Sequence, residues 1–435
     1  MLNVIFTVQN RNDPFDFEAV ESLARTTMLR AGSTLLSSVV ESPPCATAVV
    51  SCECGHAAAP HDQRSKQVMT MLGAIKIQRP YYVCPACGHT QIPRDEELDI
   101  AGTKFSPGVR RMMAVVGSET SFEKGSELLQ DLAGIEVNPE AIQEHSEAIG
   151  NDIAKGIRRE AERAKQLQFP EILQLAVPLL YIEMDGTGIP VVKAETEGRV
   201  GRHKGQPART REVKLGCVFT QTKTDKQGRP IRDPDSTTYV ASIATSEEFG
   251  HMLYSEAWRR GWSHARQKVV IADGALCNWN IADRHFPGAI QIVDLYHARQ
   301  HLWELAGKLF AGNEARRKGW ATRMLSKLDQ GEIESLVASF RRLLANHTEL
   351  AALIATEAEY FERNADRMRY PDFRRLGLFV GSGVIEAGCK SVIGLRMKRS
   401  GMFWTVDGAN AILALRCCML NNQFEDYWDC RRPAA

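Results

Sequence analysis

The sequence of 435 residues has no hydrophobic run long enough to cross a membrane. Its longest weakly interrupted apolar run, residues 172–182, contains Gln174 and Pro178, whereas a membrane-spanning helix needs about 20 apolar residues. No basic segment precedes the apolar residues 2–8, so a secretory signal is not expected. We therefore expect a cytoplasmic or nucleoid-associated protein without a membrane partner, in which the 11 cysteines are thiols or metal ligands rather than disulfides.

The sequence also lacks repeats, low-complexity tracts and an overall excess of charge of either sign. Its composition, 44% hydrophobic and 25% charged residues, excludes collagen, coiled-coil and disordered proteins as descriptions of the whole chain. The net charge of +1 is unevenly distributed: residues 193–232 contain eleven Lys or Arg against four Asp or Glu, and residues 366–401 contain eight against three. Two basic stretches in an otherwise acidic chain indicate a surface for a polyanion, with solvated loops as the alternative.

The residues after about position 172 carry the hydrophobic patterns of β-strands. Strands are predicted at 179–185, 213–219, 237–243, 268–274 and 289–294, and helices at 246–262 and 279–285. The order of three strands, helix, strand, helix and strand is typical of a ribonuclease-H-like core. A long helical stretch then precedes a late helix around residue 386, far beyond an ordinary connection of roughly 2–8 residues. The pattern therefore predicts an all-helical insertion in a multidomain α/β protein.

Three acidic residues stand where such a core would gather them. Asp185 ends the first strand, Asp273 ends the fourth, and Glu386 lies in the late helix. Mg²⁺ and Mn²⁺ prefer oxygen ligands, and three carboxylates can hold the two ions that phosphoryl transfer on DNA uses. Glu183 lies two residues before Asp185 on the same strand face and competes for this role.

Asp294 and His297 stand three residues apart where the fifth strand meets a helix. Asp294 is predicted as a fourth carboxylate or as a hydrogen-bond partner. His297 is predicted to assist proton movement or to contact phosphate, and a capping or packing histidine is the alternative reading of this position.

Five segments of the chain resemble bacterial insertion-sequence transposases of the ISKra group. They are residues 183–190, 211–216, 272–275, 293–297 and 381–390. The resemblance runs from the cysteines to residue 428 and implies a DDE transposase with a ribonuclease-H-like core. It implies that Asp185, Asp273 and Glu386 form a catalytic triad that holds two Mg²⁺ or Mn²⁺ ions, with Asp294 and His297 as an acid-x-x-His element. Cys277 departs from the group, because a bulky aromatic residue is more usual there.

Four cysteines form two closely spaced pairs, Cys52-x-Cys54 and Cys84-x-x-Cys87, separated by 29 residues. Each pair is followed by Gly-His, and residues 68–77 between the pairs predict a hairpin. Two such turns joined by a hairpin predict a zinc ribbon, in which four thiolates hold a structural Zn²⁺. The first pair is shorter than the usual C-x-x-C, so Cys45 or His56 is an alternative ligand. A redox role for the second pair would leave the first pair unexplained.

Basic residues near the predicted acids are candidates for contacts with DNA phosphates. They are Arg199, Arg202, Lys204, Arg209, Arg211, Lys390, Arg396, Lys398 and Arg399. Phe403 or Trp404 is a candidate for stacking on a flipped base, although core packing is the more common role of such a residue. Residues 121–150 predict two helices that form a helix-turn-helix, but the second is acidic, so a packing or dimerisation hairpin is the alternative.

The sequence therefore predicts a transposase that cuts double-stranded DNA at element ends and joins it to a target, without a small-molecule substrate. Oligomers are expected by analogy with enzymes that handle two DNA ends. A structure-selective nuclease on the same core and a domesticated zinc-ribbon regulator without catalysis are the alternatives. The predicted domains are a helical segment (1–44), a zinc ribbon (45–100), a helical region (101–171), the core (172–297 and 378–435) and the helical insertion (298–377).

Overall fold

The computed structural model describes residues 16–41, 49–166, 168, 177–201, 206–344 and 348–431. The chain divides into two compact units, residues 1–146 and 147–435. The division falls within a long helix and inside the predicted 101–171 region, so the domain boundaries drawn from the sequence stay predictions. Within the described residues, no helix combines the length and the apolar character that a membrane span requires.

The first unit contains a four-stranded antiparallel sheet and five helices or parts of helices. Its elements are α1 (Phe17–Glu41), β1 (Val50–Ser51), β2 (Ala57–Thr70), β3 (Gly73–Val83), β4 (Thr90–Gln91), α2 (Pro93–Glu97), α3 (Pro107–Glu119), α4 (Phe122–Leu128) and the start of α5 (Pro139–Lys165). The strands lie in the order β1-β2-β3-β4. The central hairpin pairs β2 with β3 from Ala59–Val83 to Thr70–Gly73, which confirms the predicted hairpin and lengthens it.

The break before α5 follows the turn chemistry of its sequence. Gly134 adopts a left-handed conformation with φ of 70°, as expected for a residue that ends a helix. Asn138 accepts a hydrogen bond from the backbone N–H of Ala141 at 3.3 Å, and α5 begins at Pro139. The local sequence thus accounts for both sides of this break.

The second unit contains a five-stranded sheet surrounded by helices. Its elements after α5 are β5 (Leu179–Pro190), β6 (Thr210–Gln221), β7 (Lys223–Thr224), β8 (Pro230–Ile231), β9 (Thr238–Ser242), α6 (Ser246–Arg259), β10 (Gln267–Ala272), α7 (Leu276–His285), β11 (Ile290–Val293), α8 (Leu295–Leu309), α9 (Glu314–Asp329), α10 (Ile333–Leu344), α11 (Ala351–Arg363), α12 (Tyr370–Arg375), α13 (Gly383–Gly388), α14 (Leu395–Met397), α15 (Val406–Leu420) and α16 (Phe424–Cys430).

The large sheet has the strand order β11-β10-β5-β6-β9. β5, β10 and β11 are parallel, and β6 runs antiparallel to both β5 and β9. β10 is a continuous apolar strand whose Val269, Val270 and Ile271 are fully buried, as expected for a strand covered on both faces. The edge strand β9 is covered by α15 and the turn that follows it, where Asn421 exchanges two hydrogen bonds with the backbone of Tyr239.

The first strand of this sheet does not end at Asp185, contrary to the sequence-based expectation. β10 pairs with β5 only as far as Met184, and β9 pairs with β6 only from Lys214 onward. Beyond these points β5 and β6 continue together from Gly186–Lys214 to Pro190–Thr210. Glycine weakens a strand interior on its own, but the pairing with β6 extends β5 past its two glycines. The result is a two-stranded ribbon that begins beside Asp185.

Candidate functional site

The carboxyl ends of three neighbouring parallel strands bring three acids to one edge of the sheet, here called the carboxylate edge. Met184 of β5 is paired with Ala272 of β10, and Ala272 is paired with Val293 of β11. Asp185, Asp273 and Asp294 are the next residues along each strand. These three side chains therefore emerge at the same level of the sheet, although they are 88 and 21 residues apart in sequence.

Asp185 is half-buried and accepts two hydrogen bonds, one from its own strand and one from the helical segment after α13. Its Oδ1 accepts the N–H of Gly186 at 2.7 Å, and its Oδ2 accepts the thiol of Cys389 at 3.4 Å. Burial and the neighbouring Asp185 carboxylate raise the pKa of Cys389 to about 12. Cys389 is thus a neutral donor that links the helical segment after α13 to the first acid.

Asp273 is held by the turn that follows β10. Its Oδ1 accepts the N–H of Ala275 and the side-chain amide of Asn278, both at 2.9 Å. Gly274 has a φ of 89°, and an added Cβ would lie 2.7 Å from the ring of Tyr360. The Tyr360 hydroxyl donates to the backbone carbonyl of Asp273 at 3.0 Å. The turn therefore requires glycine for both its conformation and its close contact with α11.

Asp294 has a structural role that involves both of its oxygens. It is 4% exposed and accepts the backbone N–H groups of Tyr296 at 3.0 Å and His297 at 3.2 Å, which caps α8. It also accepts the N–H of Ser382 at 3.2 Å and its hydroxyl at 2.9 Å. Asp294 is thus a hydrogen-bond acceptor that joins β11, α8 and the segment before α13, and its role in catalysis stays a prediction.

Glu386 is exposed on α13 between two points that attach this helix to β5. The backbone N–H of Ile385, directly before it, donates to Glu183 at 2.8 Å, and Cys389, three residues after it, donates to Asp185. Glu183 is fully buried, and this burial raises its pKa to about 8. Through its hydrogen bond with the N–H of Ile385, Glu183 attaches the Glu386 helix to β5.

The predicted metal-binding acids are near one another but do not form a closed ligand set. Among the described ranges of the chain, one group of three or more His, Cys, Asp or Glu side chains is close enough to hold a metal ion, and it is the cysteine group described next. His297 lies in the first turn of α8, where its Nε2 is 3.2 Å from the Nε2 of His301.

The four paired cysteines come together at one end of the β2–β3 hairpin, here called the cysteine site. Its members are Cys52, Cys54, Cys84 and Cys87, whose sulfur atoms all lie within 4.8 Å of one another. Two of these Sγ–Sγ distances are 3.6 Å, close to the roughly 3.8 Å between neighbouring sulfurs around a tetrahedral Zn²⁺ with bonds of about 2.3 Å. The set is thus consistent with a structural zinc ion.

The two turns of the cysteine site share the same backbone pattern. The N–H of Cys52 donates to the carbonyl of His56 at 2.8 Å, and the N–H of Cys84 donates to that of His89 at 2.9 Å. Gly55 and Gly88 have φ angles of 85° and 73°, which explains why each pair is followed by glycine. The alternative ligand Cys45 lies outside the described residues. His56 is exposed, with its Nδ1 3.5 Å from the sulfur of Cys54.

The basic residues predicted to contact DNA fall into three groups. Most of the described ones are exposed or half-exposed: Arg199, Arg209, Arg211, Lys390, Lys398 and Arg399. Arg202 and Lys204 lie outside the described residues. Arg396 requires a correction, because it is fully buried with its guanidinium 4.9 Å from the ring centroid of Trp404. A buried arginine packed on an aromatic ring stabilises the fold and is not available to a phosphate.

The neighbouring aromatic residues Phe403 and Trp404 also differ in burial. Trp404 is buried and donates its indole N–H to the carbonyl of Met397 at 3.0 Å, so it belongs to the core. Phe403 is 65% exposed. The Lys398 side chain donates to the hydroxyl of Thr187, so exposed charge borders the ribbon two residues beyond Asp185.

Three residues near the carboxylate edge were not predicted from the sequence: His301, Glu357 and Tyr360. His301 is four residues after His297 on α8, and this spacing places both on one helix face. The spacing was the one sequence feature that could have indicated His301. Glu357 and Tyr360 belong to α11, more than 80 residues after Asp273. No local pattern connects α11 with the strand ends, so their involvement required the tertiary structure.

Comparison with known proteins gives one family match and one curated relative. Residues 59–227 match the model of a family described as "Uncharacterised protein family (UPF0236)". The "UPF0236 protein in vanSb 3'region" of Streptococcus gallolyticus is 23% identical over 374 residues, which cover 84% of this chain and 74% of that protein. Among solved structures, the Drosophila P element transposase strand transfer complex matches with 9% identity over 78% of this chain and 83% of that chain. Its TM-score of 0.25 is too low to support an inference.

Proposed function

We propose that this chain is a DDE transposase of the ISKra type, which cleaves DNA at the ends of an insertion sequence and transfers the freed strand to a target. The observation that carries the proposal is the carboxylate edge. Asp185 and Asp273 follow neighbouring parallel strands, and Glu386 lies on a helix that is hydrogen-bonded to the first of these strands. Acids in this arrangement are suited to phosphoryl transfer on DNA.

The order of the large sheet supports a ribonuclease-H-like core. Numbered along the chain, its strands lie in the order 3-2-1-4-5 with the second strand antiparallel. Three antiparallel strands are followed by a helix, a parallel strand, a helix and a second parallel strand, as the resemblance implies. The helices α8 to α12 form the insertion before the segment that carries Glu386.

Asp185, Asp273 and Glu386 would hold two Mg²⁺ or Mn²⁺ ions. Their carboxylate oxygens are the donors that these hard ions prefer, and all three are accessible to a ligand, in contrast to buried Glu183 and Asp294. Bound divalent ions activate a nucleophile and stabilise the leaving oxygen in such reactions. The protein itself would orient Asp185 through Cys389 and Asp273 through Asn278.

The exposed cations near the ribbon would bind the DNA backbone. Lys390 follows Glu386 by four residues, and Lys398 contacts Thr187 on the ribbon. Arg199 and Arg209 lie at the far end of the ribbon, where the backbone N–H of Ala208 donates to the carbonyl of Arg199. A line of positive charge from the acids along the ribbon would hold phosphates against the site. Homo-oligomers and double-stranded DNA ends are the expected partners.

A plasmid that carries this gene with its flanking DNA tests the proposal. The purified protein is incubated with Mg²⁺ or Mn²⁺ beside Glu386→Gln and the matched control Glu349→Gln, which changes an exposed glutamate between α10 and α11. We expect metal-dependent cuts at the gene's flanks with the wild type and the control, and none with Glu386→Gln.

Other outcomes identify the alternatives. Cuts that ignore the flanks but require Glu386 would favour a structure-selective nuclease. DNA binding by both wild type and Glu386→Gln without cleavage would favour a zinc-ribbon regulator that has no catalytic function. Transfer of the cut strand into a second plasmid distinguishes a transposase from a nuclease that cuts at the same positions.

A further inference from the structure

A chain of polar side chains joins α8 to α11 beside the carboxylate edge. The Nε2 atoms of His297 and His301 are 3.2 Å apart, and Nδ1 of His301 is 2.8 Å from Oε2 of Glu357 on α11. Glu357 and His301 are largely buried, with 14% and 27% of their side chains exposed. The three residues therefore form one hydrogen-bonded chain with a carboxylate at its inner end.

The chemistry of this chain determines where its protons lie. A carboxylate only accepts hydrogen bonds, so Nδ1 of His301 carries a proton. The other nitrogen of a neutral His301 is then an acceptor, and the hydrogen bond between the two rings uses the Nε2–H of His297. Glu357 thus selects the tautomer of His301 and, through it, that of His297. Carboxylate–histidine pairs orient functional imidazoles in this way.

Tyr360 attaches the same helix face to the acid site. Its ring stacks on His301 with centroids 4.2 Å apart and an interplanar angle of 12°. Its hydroxyl donates to the carbonyl of Asp273 at 3.0 Å. Glu357 and Tyr360 are three residues apart on α11, so one face of the insertion contacts both the histidine pair and the turn of Asp273.

With its Nε2–H donated to His301, a neutral His297 presents Nδ1 as a hydrogen-bond acceptor. We propose that Glu357 and Tyr360 are positioning residues, which hold His301 and His297 in the tautomer and orientation that offer this acceptor to a hydroxyl group at the carboxylate edge. This proposal rests on the proposed function for the identity of the hydroxyl, which is the 3′-hydroxyl of a DNA strand. It assigns the helical insertion a direct part in the site. His297 is the residue that contacts DNA, and the other members of the chain act through it.

The first test uses the histidine ¹⁵N signals of the full-length protein, which distinguish tautomers without any catalytic turnover. The variants His297→Gln and His301→Gln assign the two rings. We expect the Nδ1–H form of His301 in the wild type and in Glu357→Gln, because glutamine keeps an acceptor oxygen. Glu357→Leu should lose that preference. Glu359→Leu, at an exposed position on the same helix, is the matched control and should keep it.

Addition of a short duplex with the element's flanking sequence and a free 3′-hydroxyl then tests the contact with His297. The His297 signals should move in the wild type and Glu359→Leu, and much less in Glu357→Leu. In the cleavage assay we expect Glu357→Leu to lower kcat by about 10- to 100-fold at saturating DNA, with partial rescue in Glu357→Gln. Tyr360→Phe keeps the ring and should lower kcat without changing the tautomers.

The outcomes separate this proposal from the proposed function. An unchanged His301 tautomer in Glu357→Leu overturns the positioning role. An altered tautomer with normal kcat, or His297 signals that ignore the duplex, overturns the contact between His297 and the hydroxyl group. A third outcome is a wild-type protein that never cuts DNA but whose His297 signals respond to the duplex, with this response lost in Glu357→Leu. That result would refute the transposase and support the positioning role of Glu357.

Discussion

The cysteine site and the carboxylate edge differ in how far apart in the sequence their residues lie. The four cysteines come from two turns at one end of a single hairpin and fall within residues 52–87. Asp185, Asp273 and Glu386 come from two strands and a helix spread over about 200 residues. The first site depends on local turns, and the second depends on the register of a sheet and on the docking of a helix against it.

The two sites depend on different kinds of residues. In the cysteine site each thiol would itself be a ligand of a structural zinc ion, so loss of one residue would remove a bond to that ion. At the carboxylate edge, buried residues that do not belong to the predicted metal-binding set hold the exposed ones in place. Glu183 and Asp294 are the main examples, because each accepts hydrogen bonds from the backbone of the segment around α13. The two sites should therefore respond differently to substitution.

Cys84→Ser should have the largest effect on the fold of the first unit. Cys84 is fully buried, and structural zinc sites contribute much of the folding free energy of small domains. We expect loss of bound zinc and a decrease in the free energy of unfolding on the order of 5 kcal/mol. Elemental analysis and thermal unfolding measure this, with Cys430→Ser at an exposed position as the control. Retention of one zinc per chain in Cys84→Ser would contradict the four-thiolate site.

Glu183 should make the second unit less stable at alkaline pH. Burial raises the pKa of Glu183 to about 8 from its ordinary value of 4.5, so the folded state binds a proton that the unfolded state releases. The stabilisation is complete below about pH 4.5 and is lost as the pH rises through about 8. We expect the free energy of unfolding to fall by as much as about 5 kcal/mol across this range.

Glu183→Gln should remove this pH dependence, because glutamine does not ionise and still accepts from Ile385. Urea unfolding between pH 5 and pH 9 measures the difference, with Glu349→Gln as the control that keeps the wild-type slope. A wild-type and a Glu183→Gln protein with the same pH dependence would show that Glu183 is ionised in the fold.

Asp294→Ala should destabilise the second unit without removing a metal ligand. The substitution deletes the cap of α8 and leaves the N–H of Ser382 without its acceptor. We expect a decrease of about 2–3 kcal/mol in the free energy of unfolding, and a lower melting temperature. Asp429→Ala, at an exposed position on α16, should have little effect. An unchanged melting temperature for Asp294→Ala would contradict the capping and joining role.

Lys398→Ala should have the smallest effect, about 1 kcal/mol in DNA affinity. Because Lys398 is exposed, its loss should also lower the slope of log affinity against log salt by about one. Arg396→Met is the informative comparison, since a buried side chain should change stability and leave DNA affinity unaltered. Equal losses of affinity in the two variants would mean that Arg396 reaches the DNA despite its burial. Electrophoretic mobility at several salt concentrations measures both.

Much of the core was predictable because its elements follow from local patterns. The strands β6, β9, β10 and β11 lie within a few residues of the predicted ranges, and α6 and α7 overlap the predicted helices. Local errors have physical reasons. The start of β2 was not predicted, because its polar residues acquire strand structure only by pairing with β3, where Arg64 lies 3.4 Å from the ring centroid of Tyr81.

The candidate site was predictable as a set of residue types but not as a set of roles. The positions of Asp185 and Asp273 at strand ends or beside them followed from the hydrophobic pattern of each strand. The different roles of Glu183 and Asp185 did not follow from that pattern, because both residues lie on one face of β5. Only the approach of α13 buries Glu183 and leaves Glu386 exposed.

The sequence by itself determined the cysteine site, the strands and helices of the core, and the glycines of their turns. These depend on hydrogen bonds and side-chain periodicities that extend over a few residues. The tertiary structure decided that Arg396 packs on Trp404, that Asp294 joins three segments, and that α11 contacts the histidines of α8. Burial and side-chain partners depend on residues distant in the chain, so no local pattern carries them.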